Sequence, residues 1–320
     1  MGAQKLSSRA IIGRLIRRLE EVTVASWVGE ISWLNDQANM ESEEYRWLDE
    51  SPIMREWNGP RQAKGLADQG VIIPSKEYEA TLEVKRRELF LDKTGQIRIR
   101  IDELASGTAR HWAQLLTPLI ANGATSVTTY GAAATYDGAD FFGAGHRGSQ
   151  DNALSLAAGT GTTPTTGEAV DMLLQVLTTF LSFTDAQGEP MNEGLRSLLV
   201  MVPSKYLGPF TGAITSLMVA TGTGGGAIDN VLRQVRGLTW TVEANTRLDA
   251  SFGAANKFAV FRTDNVVKAL IRQEEEGLVV DALAEGSEEE IHNNRHIYGV
   301  RATRGVGYGR WEHAIEVTIT

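Results

Sequence analysis

The opening residues carry apolar side chains at helical spacing, with basic side chains on the other side. This pattern predicts an amphipathic helix that must lie on another surface. A tryptophan-bearing acidic stretch follows, from Trp27 to Trp47, which favours packing on protein over a position on a membrane surface. The apolar positions are Ile11, Ile12, Leu15, Ile16, Leu19 and Val22, and the basic positions are Arg14, Arg17 and Arg18.

A strict two-residue alternation begins at Glu77. Tyr78, Ala80, Leu82 and Val84 alternate with charged or polar residues, which predicts a ribbon with one apolar face over Glu77 to Leu91. Such a ribbon would reach about 50 Å at 3.3 Å per residue, longer than most strands within one domain. We therefore predict an arm whose apolar face is completed by a neighbouring molecule. A long hairpin folded on its own body is the alternative.

The clearest helical stripe runs from Asp102 to Asn122. Asp102 is the predicted N-cap, Asn122-Gly123 the predicted end, and Pro118 should bend the last turn. The result is a rod of about 30 Å. Its stripe consists of Leu104, Thr108, Trp112, Leu115, Leu116, Leu119 and Ile120.

Residues 125–262 alternate helical and strand patterns, so we predict an α+β body without internal repeats. The predicted helices are 168–183, 205–219 and 228–235, and the predicted strands are 198–202, 238–244 and 258–262. Two further strands are predicted after this body, at 298–303 and 314–320.

Composition excludes several classes of protein. The 320-residue chain contains no cysteine, which rules out disulfides, thiolate zinc sites and cysteine nucleophiles. Its net charge of −9 argues against a protein dedicated to nucleic-acid binding. No apolar run is long enough to cross a bilayer and no secretory signal is present, so we expect a soluble protein without a membrane partner.

Charge is unevenly distributed along the chain. Lys5, Arg9, Arg14, Arg17 and Arg18 all precede the first acid, Glu20, whereas residues 274–276 and 288–290 form acidic blocks. Opposite ends of two copies could therefore attract each other, although each run alone is typical of a solvated face.

The motifs that suggest catalysis are weak. Gly222 to Ala227 satisfies G-x-G-x-x-A and Glu243 follows at a suitable distance, but the preceding residues are spaced like a helix rather than the required strand. His292 and His296 have zinc-helix spacing without a third ligand, and we interpret both as solvated. His146 is interpreted as a packed structural residue. We predict no cofactor, no metal and no catalytic residue.

Several segments, in order along the chain, resemble the major head subunit family of Mu-like phages, a branch of the tailed-phage capsid fold first described for the phage Hong Kong 97. The resemblance lies in "REWNGPRQAKGLADQGVIIPSKEYEATLEVKRRELFLDKTG" (55–95), "LLTPLIANG" (115–123), "YDGADFFGAGH" (136–146), "LRSLLVMVPSKY" (195–206) and "YGVRATRGVGYGRWEHAI" (298–315).

The resemblance implies an α+β capsid fold with five parts: an N-terminal arm (1–50), an extended β-hairpin loop (51–96), a peripheral domain with a long spine helix (97–127), an axial domain (128–262) and return strands of the peripheral domain (263–320). The axial domain would present the loop Gly222, Gly224, Gly225 and Gly226 near symmetry axes. The candidate intersubunit contacts are Arg55, Trp57, Arg61, Lys64, Tyr78, Leu82, Val84, Ile12, Leu15 and Ile16.

The function implied is that of a self-assembling shell subunit, forming pentamers and hexamers of an icosahedral virion head assembled in the host cytoplasm. Implied partners are other copies, a portal, a scaffolding protein, a candidate decoration protein and nonspecifically bound packaged DNA. A noncovalent shell is the default, although Lys64 and Lys76 lie in the region that cross-links in related systems. The alternatives are a nucleotide-cofactor enzyme using Gly222 to Ala227 and a non-viral encapsulating shell of the same fold.

Overall fold

A computed structural model of the chain describes residues 8–21, 24–36, 42–45, 70–91, 95–159, 161–220 and 226–320. The helices are α1 (Ser8–Glu21), α2 (Ser26–Ile31), α3 (Arg86–Leu91), α4 (Gln96–Ala109), α5 (His111–Ala121), α6 (Ser126–Tyr130), α7 (Thr166–Ser182), α8 (Leu207–Thr215) and α9 (Glu288–Asn293). The strands are β1 (Ser32–Asn35), β2 (Ser42–Tyr45), β3 (Val71–Pro74), β4 (Lys76–Lys85), β5 (Ala153–Leu156), β6 (Ser197–Val202), β7 (Met218–Ala220), β8 (Ala227–Asp229), β9 (Thr239–Ala244), β10 (Lys257–Arg262), β11 (Leu270–Leu283), β12 (Arg295–Tyr308) and β13 (Ala314–Ile319).

The main core is built on a five-stranded mixed sheet with the order β5-β13-β10-β6-β9. Its central strands β6 and β10 are apolar along almost their whole length and are buried, as expected for strands covered on both faces. Apolar residues of α5, α7 and α8 join this core. A capping box begins α7, because Thr165 accepts from the Glu168 amide and Glu168 accepts from the Thr165 amide.

The second sheet has the order β1-β11-β12-β4. Its strands β11 and β12 are 14 residues each and form an antiparallel hairpin connected through α9, with register shifts near Glu274 and Glu276. Bulges of this kind increase the local twist of a ribbon. A smaller core on this sheet contains residues of α1, α4, β4 and β12.

The predicted rod is present, but it begins earlier and is bent. Gly95 precedes the first turn with a φ of +73°, and the helix starts at Gln96 rather than at Asp102, so the predicted N-cap was wrong. Arg110 separates α4 from α5, although its carbonyl still accepts from the Gln114 amide. Ser106 and Thr108 each donate a side-chain hydrogen bond to the carbonyl four residues back, an arrangement that bends helices.

The bent rod links the two cores, since α4 packs in the smaller core and α5 in the main one. From Gln96 to Ala121 its length is about 39 Å at 1.5 Å per residue. The predicted end at Asn122 is confirmed, with the Asn122 amide donating to the Pro118 carbonyl at 3.0 Å.

Three other predicted boundaries were wrong. The strand pattern beginning at Glu77 stops at Lys85, and residues 86–91 are helical, because β12 begins at Arg295 opposite Lys85 and provides no partner beyond it. The helix predicted over 205–219 ends at Thr215. Residues 228–235 form the end of β8 and a short turn rather than a helix.

The last strand belongs with the main core. β13 pairs with β10 and β5 in the five-stranded sheet, whereas β11 and β12 lie in the four-stranded sheet. The segment 263–320 therefore contributes strands to both the five-stranded and the four-stranded sheet.

Candidate assembly surface

The apolar face of β4 is covered by its own chain. All ten residues of β4 pair with β12, and the predicted alternation is present, with Val84 buried and the side chains of Tyr78, Ala80 and Leu82 partly buried. Val84 and Leu82 pack in the smaller core, within a strand of about 33 Å rather than 50 Å. The side chain of Val84 is thus buried inside the subunit, and completion of the rest of this face by a neighbouring molecule stays a prediction.

The helix α1 confirms the predicted amphipathic pattern and lies on protein, along α4. Ile11 and Leu15 are fully buried and Ile12 is partly buried in the smaller core, whereas Ile16 is 43% exposed. Arg14 holds Asp102 by two hydrogen bonds of 2.9 and 2.5 Å, and this pairing lowers the pKa of Asp102. Of the helix residues predicted to contact neighbours, Leu15 is therefore an internal residue and Ile16 is accessible.

The start of α1 is attached to the end of the β11–β12 hairpin. The Ser8 hydroxyl lies 2.9 Å from the Tyr298 hydroxyl, and the Ser8 amide donates to Glu285 at 3.0 Å. His296 is buried beside them, with Nδ1 3.4 Å from the Ser8 hydroxyl and Nε2 3.2 Å from Glu290. We call Ser8, Glu285, Glu290, His296 and Tyr298 the helix latch. The interpretation of His296 as a solvated residue was wrong, because it is buried in β12, whereas His292 in α9 is exposed.

Four of the six acids in the two acidic blocks are paired within the subunit. Arg295 bonds both Glu83 and Glu289, at 2.9 and 2.8 Å, and Arg86 lies 3.3 Å from Glu290. In the other block, Glu274 and Glu276 pair with Arg304 and Arg301. These four acids already have partners in their own subunit. They therefore do not support the expected attraction to the basic end of another copy.

Arg304 connects the rod to the second sheet. Its guanidinium lies 4.4 Å from the centre of the Trp112 ring and bonds Glu274 and His111. Burial, with the neighbouring Arg304 charge, lowers the pKa of His111, so the ring stays neutral at neutral pH and can accept a hydrogen bond. Tyr78 packs edge-on against His111, and a cleft of about 490 Å³ opens between α4, β4 and β12. No local pattern in the sequence indicated this cluster, because its members are distant along the chain.

A buried hydrogen-bond chain holds the antiparallel pair β2–β3, whose second strand lies within the predicted extended loop (51–96). Asn35 donates to the Tyr45 hydroxyl at 2.9 Å, and that hydroxyl donates to Gln273 at 3.0 Å. Val71 and Ile73 are buried beside Tyr45 in a third small core. The predicted contacts Arg55, Trp57, Arg61 and Lys64 lie outside the described residues.

The glycine segment predicted as an axial loop connects two antiparallel strands. β7 pairs with β8 from Met218 opposite Asp229 to Ala220 opposite Ala227. Gly226 is exposed, whereas Gly222, Gly224 and Gly225 lie outside the described residues. A dinucleotide site needs a helix directly after its glycines. The alternative enzyme interpretation is therefore wrong at this position, since a strand follows.

The side chain of His146 is a buried structural group, as predicted. It hydrogen-bonds Asp137 at 2.8 Å and stacks on Trp311 at 4.0 Å between ring centres. Burial alone would raise the pKa of Asp137, but the His146 hydrogen bond holds that pKa below its usual value.

Two buried asparagines, which the sequence analysis did not single out, attach the turn before β13 (Trp311–His313) to the main core. Asn152 donates to the carbonyls of Phe141 and Ala314, and Asn192 donates to the carbonyl of Glu312. Nearby, burial lowers the pKa of His313 to about 4. The residues around the two asparagines offered no signal of these contacts, because the partners are backbone groups elsewhere in the chain.

Within the described ranges, no group of three or more histidine or acidic side chains is placed to hold a metal ion. In the same part of the chain, none of the helices combines the length and apolar character needed to cross a bilayer.

The fold is that of phage capsid proteins. It matches the "Procapsid of bacteriophage JBD30" over 97% of this chain and 74% of that one, with a TM-score of 0.51 and 19% identity. It matches the mature capsid of bacteriophage PhiM1 over 93% of this chain and 88% of that one (TM-score 0.53, 11% identity). It also matches the capsid of cyanophage P-SCSP1u over 93% of this chain and 89% of that one (TM-score 0.53, 10% identity). The α+β capsid class predicted from the sequence is confirmed.

The amino-acid sequence is also similar to one family of head proteins. Residues 28–175, slightly less than half of the chain, match the family model "Mu-like prophage major head subunit gpT". No curated protein sequence matches at a significant level. The resemblance found in the sequence is thus confirmed by the family match over residues 28–175.

Proposed function

We propose that this chain associates with identical copies into pentamers and hexamers, which close into an icosahedral shell around double-stranded DNA, and that it has no catalytic role. The main support is the capsid fold over nearly the whole chain together with the family match. Contacts that join unlike faces of identical subunits generate rings when the rotation closes. A single fold can therefore supply both kinds of capsomer.

The proposed extended loop, about residues 51–96, includes β3, β4 and the region of Arg55, Trp57, Arg61 and Lys64. The hydrogen-bond chain through Tyr45 supports this proposal, because it anchors β2 and β3 to Gln273 in the second sheet. A loop that reaches a neighbour needs such a rigid base to present its contacts in one orientation. Tyr78, which is partly buried, and Ile16, which is exposed, remain candidate contacts.

The proposed axial contact is the β7–β8 hairpin with Gly222 to Gly226. Leu217, Met218 and Ile228 are 72%, 54% and 47% exposed around it. Clusters of exposed apolar side chains mark association surfaces more often than single ones do. These side chains support a position beside other copies around a symmetry axis.

The remaining partners follow from the proposed shell. They are a portal, a scaffolding protein, a candidate decoration protein and packaged DNA bound without sequence preference. Assembly in the host cytoplasm, and a division into an arm, an extended loop, a peripheral domain and an axial domain with the boundaries given above, are part of the same proposal. The two hydrophobic cores, which share the bent rod, support at least two bodies in the fold.

Electron microscopy of the purified full chain tests the proposal, with round shells as the expected product. A deletion of Arg61 to Glu79 would be a poor test, because it removes β3 and part of β4 from the folded body. Replacing residues 51–67 with a short Gly-Ser linker preserves these strands. We expect a folded variant with an unchanged circular dichroism spectrum that forms no shells, whereas Lys64→Ala should still form noncovalent shells. Intact shells from the linker variant would contradict the role of the loop.

A further inference from the structure

One face of the four-stranded sheet is open along part of its length. Strands direct alternate side chains to opposite faces and directly paired residues to the same face. Tyr298 and Val300 point into the smaller core, so the residues that alternate with them on β12 point away from it. Gly305 and Gly307 also point away, but β3 covers them through Ile73. The open part, which we call the outer face, consists of the away-facing residues of 79–83, 279–283 and 295–301.

A groove of about 220 Å³ crosses the outer face at Gly299, which lies between Asp281 and Thr81 in the strand register. Leu283, which is 51% exposed, and Ile297 line its apolar end. A glycine inside a strand weakens it and marks a bulge, a bend or the close approach of another backbone.

The subunit itself does not require Gly299. The register is continuous through this position, and its backbone is not left-handed. A Cβ atom would lie 3.6 Å from the Thr81 hydroxyl oxygen, an ordinary contact, whereas a Cβ at Gly307 would lie 2.5 Å from Ile73. Gly299 therefore provides room for the backbone of a molecule outside the subunit.

The exposed side of α1 has the features that this groove requires. A Cβ at Gly13 would meet no atom within 4 Å, so the helix backbone is accessible there. Ile16 beside it is 43% exposed. Residues spaced by three, four, seven or eight positions share one side of a helix. This side, which we call the α1 stripe, consists of Arg9, Gly13, Ile16, Arg17 and Glu20, all exposed.

One alignment brings the charges of the two surfaces together. Gly13 is placed over Gly299, with α1 running in the direction of β4. Arg9 then lies about 6 Å before Gly13 along the helix, and Glu79 lies about 7 Å before Gly299 along the sheet. Neither Arg9 nor Glu79 forms an ion pair within the described part of the chain, so each is available to the other. Arg301, which is opposite Glu79 in the register, is compensated by two acids of β11.

The other end of the alignment is also complementary. Arg17 lies about 6 Å beyond the pair of glycines, and Glu83 about 7 Å beyond it. Glu20 lies about 11 Å beyond the glycines, close to the level of Arg295 at about 13 Å. Glu83 and Arg295 already bond each other at 2.9 Å, so Arg17 and Glu20 would extend this ion pair without breaking it. Ile16 falls over the apolar end of the groove.

We infer that the α1 stripe of one copy docks on the outer face of a second copy. Within one subunit α1 lies on the other side of the sheet, since Ile11 and Leu15 pack with Tyr298 and Val300. The contact thus joins unlike faces of two copies, as a closed ring requires, and it covers the sheet on both sides. This inference rests on the proposed function and adds the pair of surfaces that two copies use.

Cysteine cross-linking tests the contact, because the chain contains no cysteine of its own. Full chain carrying Ile16→Cys is mixed with full chain carrying Gly299→Cys, before and after assembly, and treated with a short bismaleimide. We expect covalent dimers on a denaturing gel, and none from either variant alone. In the matched control, Gln187→Cys at an exposed position elsewhere replaces Ile16→Cys and should give no dimer above background.

Charge reversal tests the alignment. Arg9→Glu, placed in both cross-linking variants, should remove most of the dimer, because Glu79 then faces a like charge. Adding Glu79→Arg to both should restore the dimer, whereas adding Glu103→Arg, at an exposed position on α4, should not. Circular dichroism checks that each variant is folded. Restoration by both arginines, or by neither, would overturn the alignment.

Equal dimer yields from Ile16→Cys and Gln187→Cys would overturn the inference, since they would report random collisions. Dimers from Trp57→Cys with Gly299→Cys, in place of those from Ile16→Cys, would assign the outer face to another segment and overturn the choice of α1. Electron microscopy separates this inference from the proposed function. If the unaltered chain forms shells and the cross-link is absent, only this contact is wrong; if the cross-link forms and no shells appear, the contact stands and the proposed function fails.

Discussion

The hydroxyl groups of Ser8 and Tyr298 lie 2.9 Å apart although 290 positions separate them in the chain. Both residues are buried, at the point where α1 meets the end of the β11–β12 hairpin. The N-terminal helix is thus held by specific polar contacts in addition to the burial of Ile11 and Leu15. The stability of α1 can be altered through this latch without changing the apolar core.

Tyr298→Phe removes one partner of that hydrogen bond and leaves the ring packing in place. We expect a loss of about 1 kcal/mol in the free energy of unfolding, because the Ser8 hydroxyl then stays buried without its best partner. Urea denaturation measures the change. In a double-mutant cycle, Ser8→Ala combined with Tyr298→Phe should cost less than the two single changes added together. Strict additivity would show that the two hydroxyls do not interact.

The latch should weaken in acid. The hydrogen bonds that Glu285 accepts from Ser8 lower the pKa of Glu285, and the Gly286 amide and His296 lower the pKa of Glu290. A carboxylate with a depressed pKa in the folded state stabilises that state above its unfolded pKa, and this contribution is lost as the pH falls through the folded value. We therefore expect the protection of α1 amides against hydrogen exchange, corrected for the intrinsic pH dependence of the exchange rate, to be constant from neutral pH down to about 5 and to decrease below about 4.5.

Glu285→Gln provides the control for this pH dependence. The amide cannot titrate, so α1 should exchange faster at neutral pH and show a smaller additional change in acid. If the variant and the unaltered chain gave the same acid profile, Glu285 would have no part in the latch.

Gly307 allows the β2–β3 hairpin to pack closely on β12. A Cβ atom at this position would lie 2.5 Å from Cδ1 of Ile73, which is itself buried. We expect Gly307→Ala to lower the free energy of unfolding by about 1 to 3 kcal/mol through overpacking. Adding Ile73→Val should recover part of the loss.

Gly277→Ala is the matched control for Gly307, because a Cβ there meets no atom within 4 Å. It should leave the thermal midpoint nearly unchanged. A similar loss in both variants would point to a general backbone effect rather than to contact with Ile73.

The side chain of Asn152 connects the turn before β13 to the main core by buried hydrogen bonds. Its amide donates to the carbonyls of Phe141 and Ala314 at 2.8 and 3.0 Å, and its side-chain oxygen accepts from the Gly143 amide at 2.9 Å. Asn152→Ala leaves these buried backbone groups without partners, and we expect a loss of about 2 to 4 kcal/mol by chemical denaturation. The exposed Gln187→Ala should change stability by less than about 0.5 kcal/mol.

Local periodicity alone determined several elements of this protein. The helical spacing of Ile11 and Leu15 and the two-residue alternation of β4 predict α1 and the strand, because an amphipathic element must present one apolar face. The apolar runs in β6 and β10 predict buried strands in the same way. The class of protein was also readable, since short segments that resemble the head subunits occur in order along the chain.

Only the tertiary structure decided what covers these faces and where the elements end. The pattern of β4 gives no indication that its partner is β12, more than 200 residues later, or that the chain must turn at Arg86 where β12 begins. The helix latch, the Arg304–Trp112 contact and the hydrogen bonds of Asn152 likewise join residues that are distant in sequence. Periodicity reports the environment of a side chain averaged over one element, whereas pairing, register and polar contacts depend on the position of every other element in space.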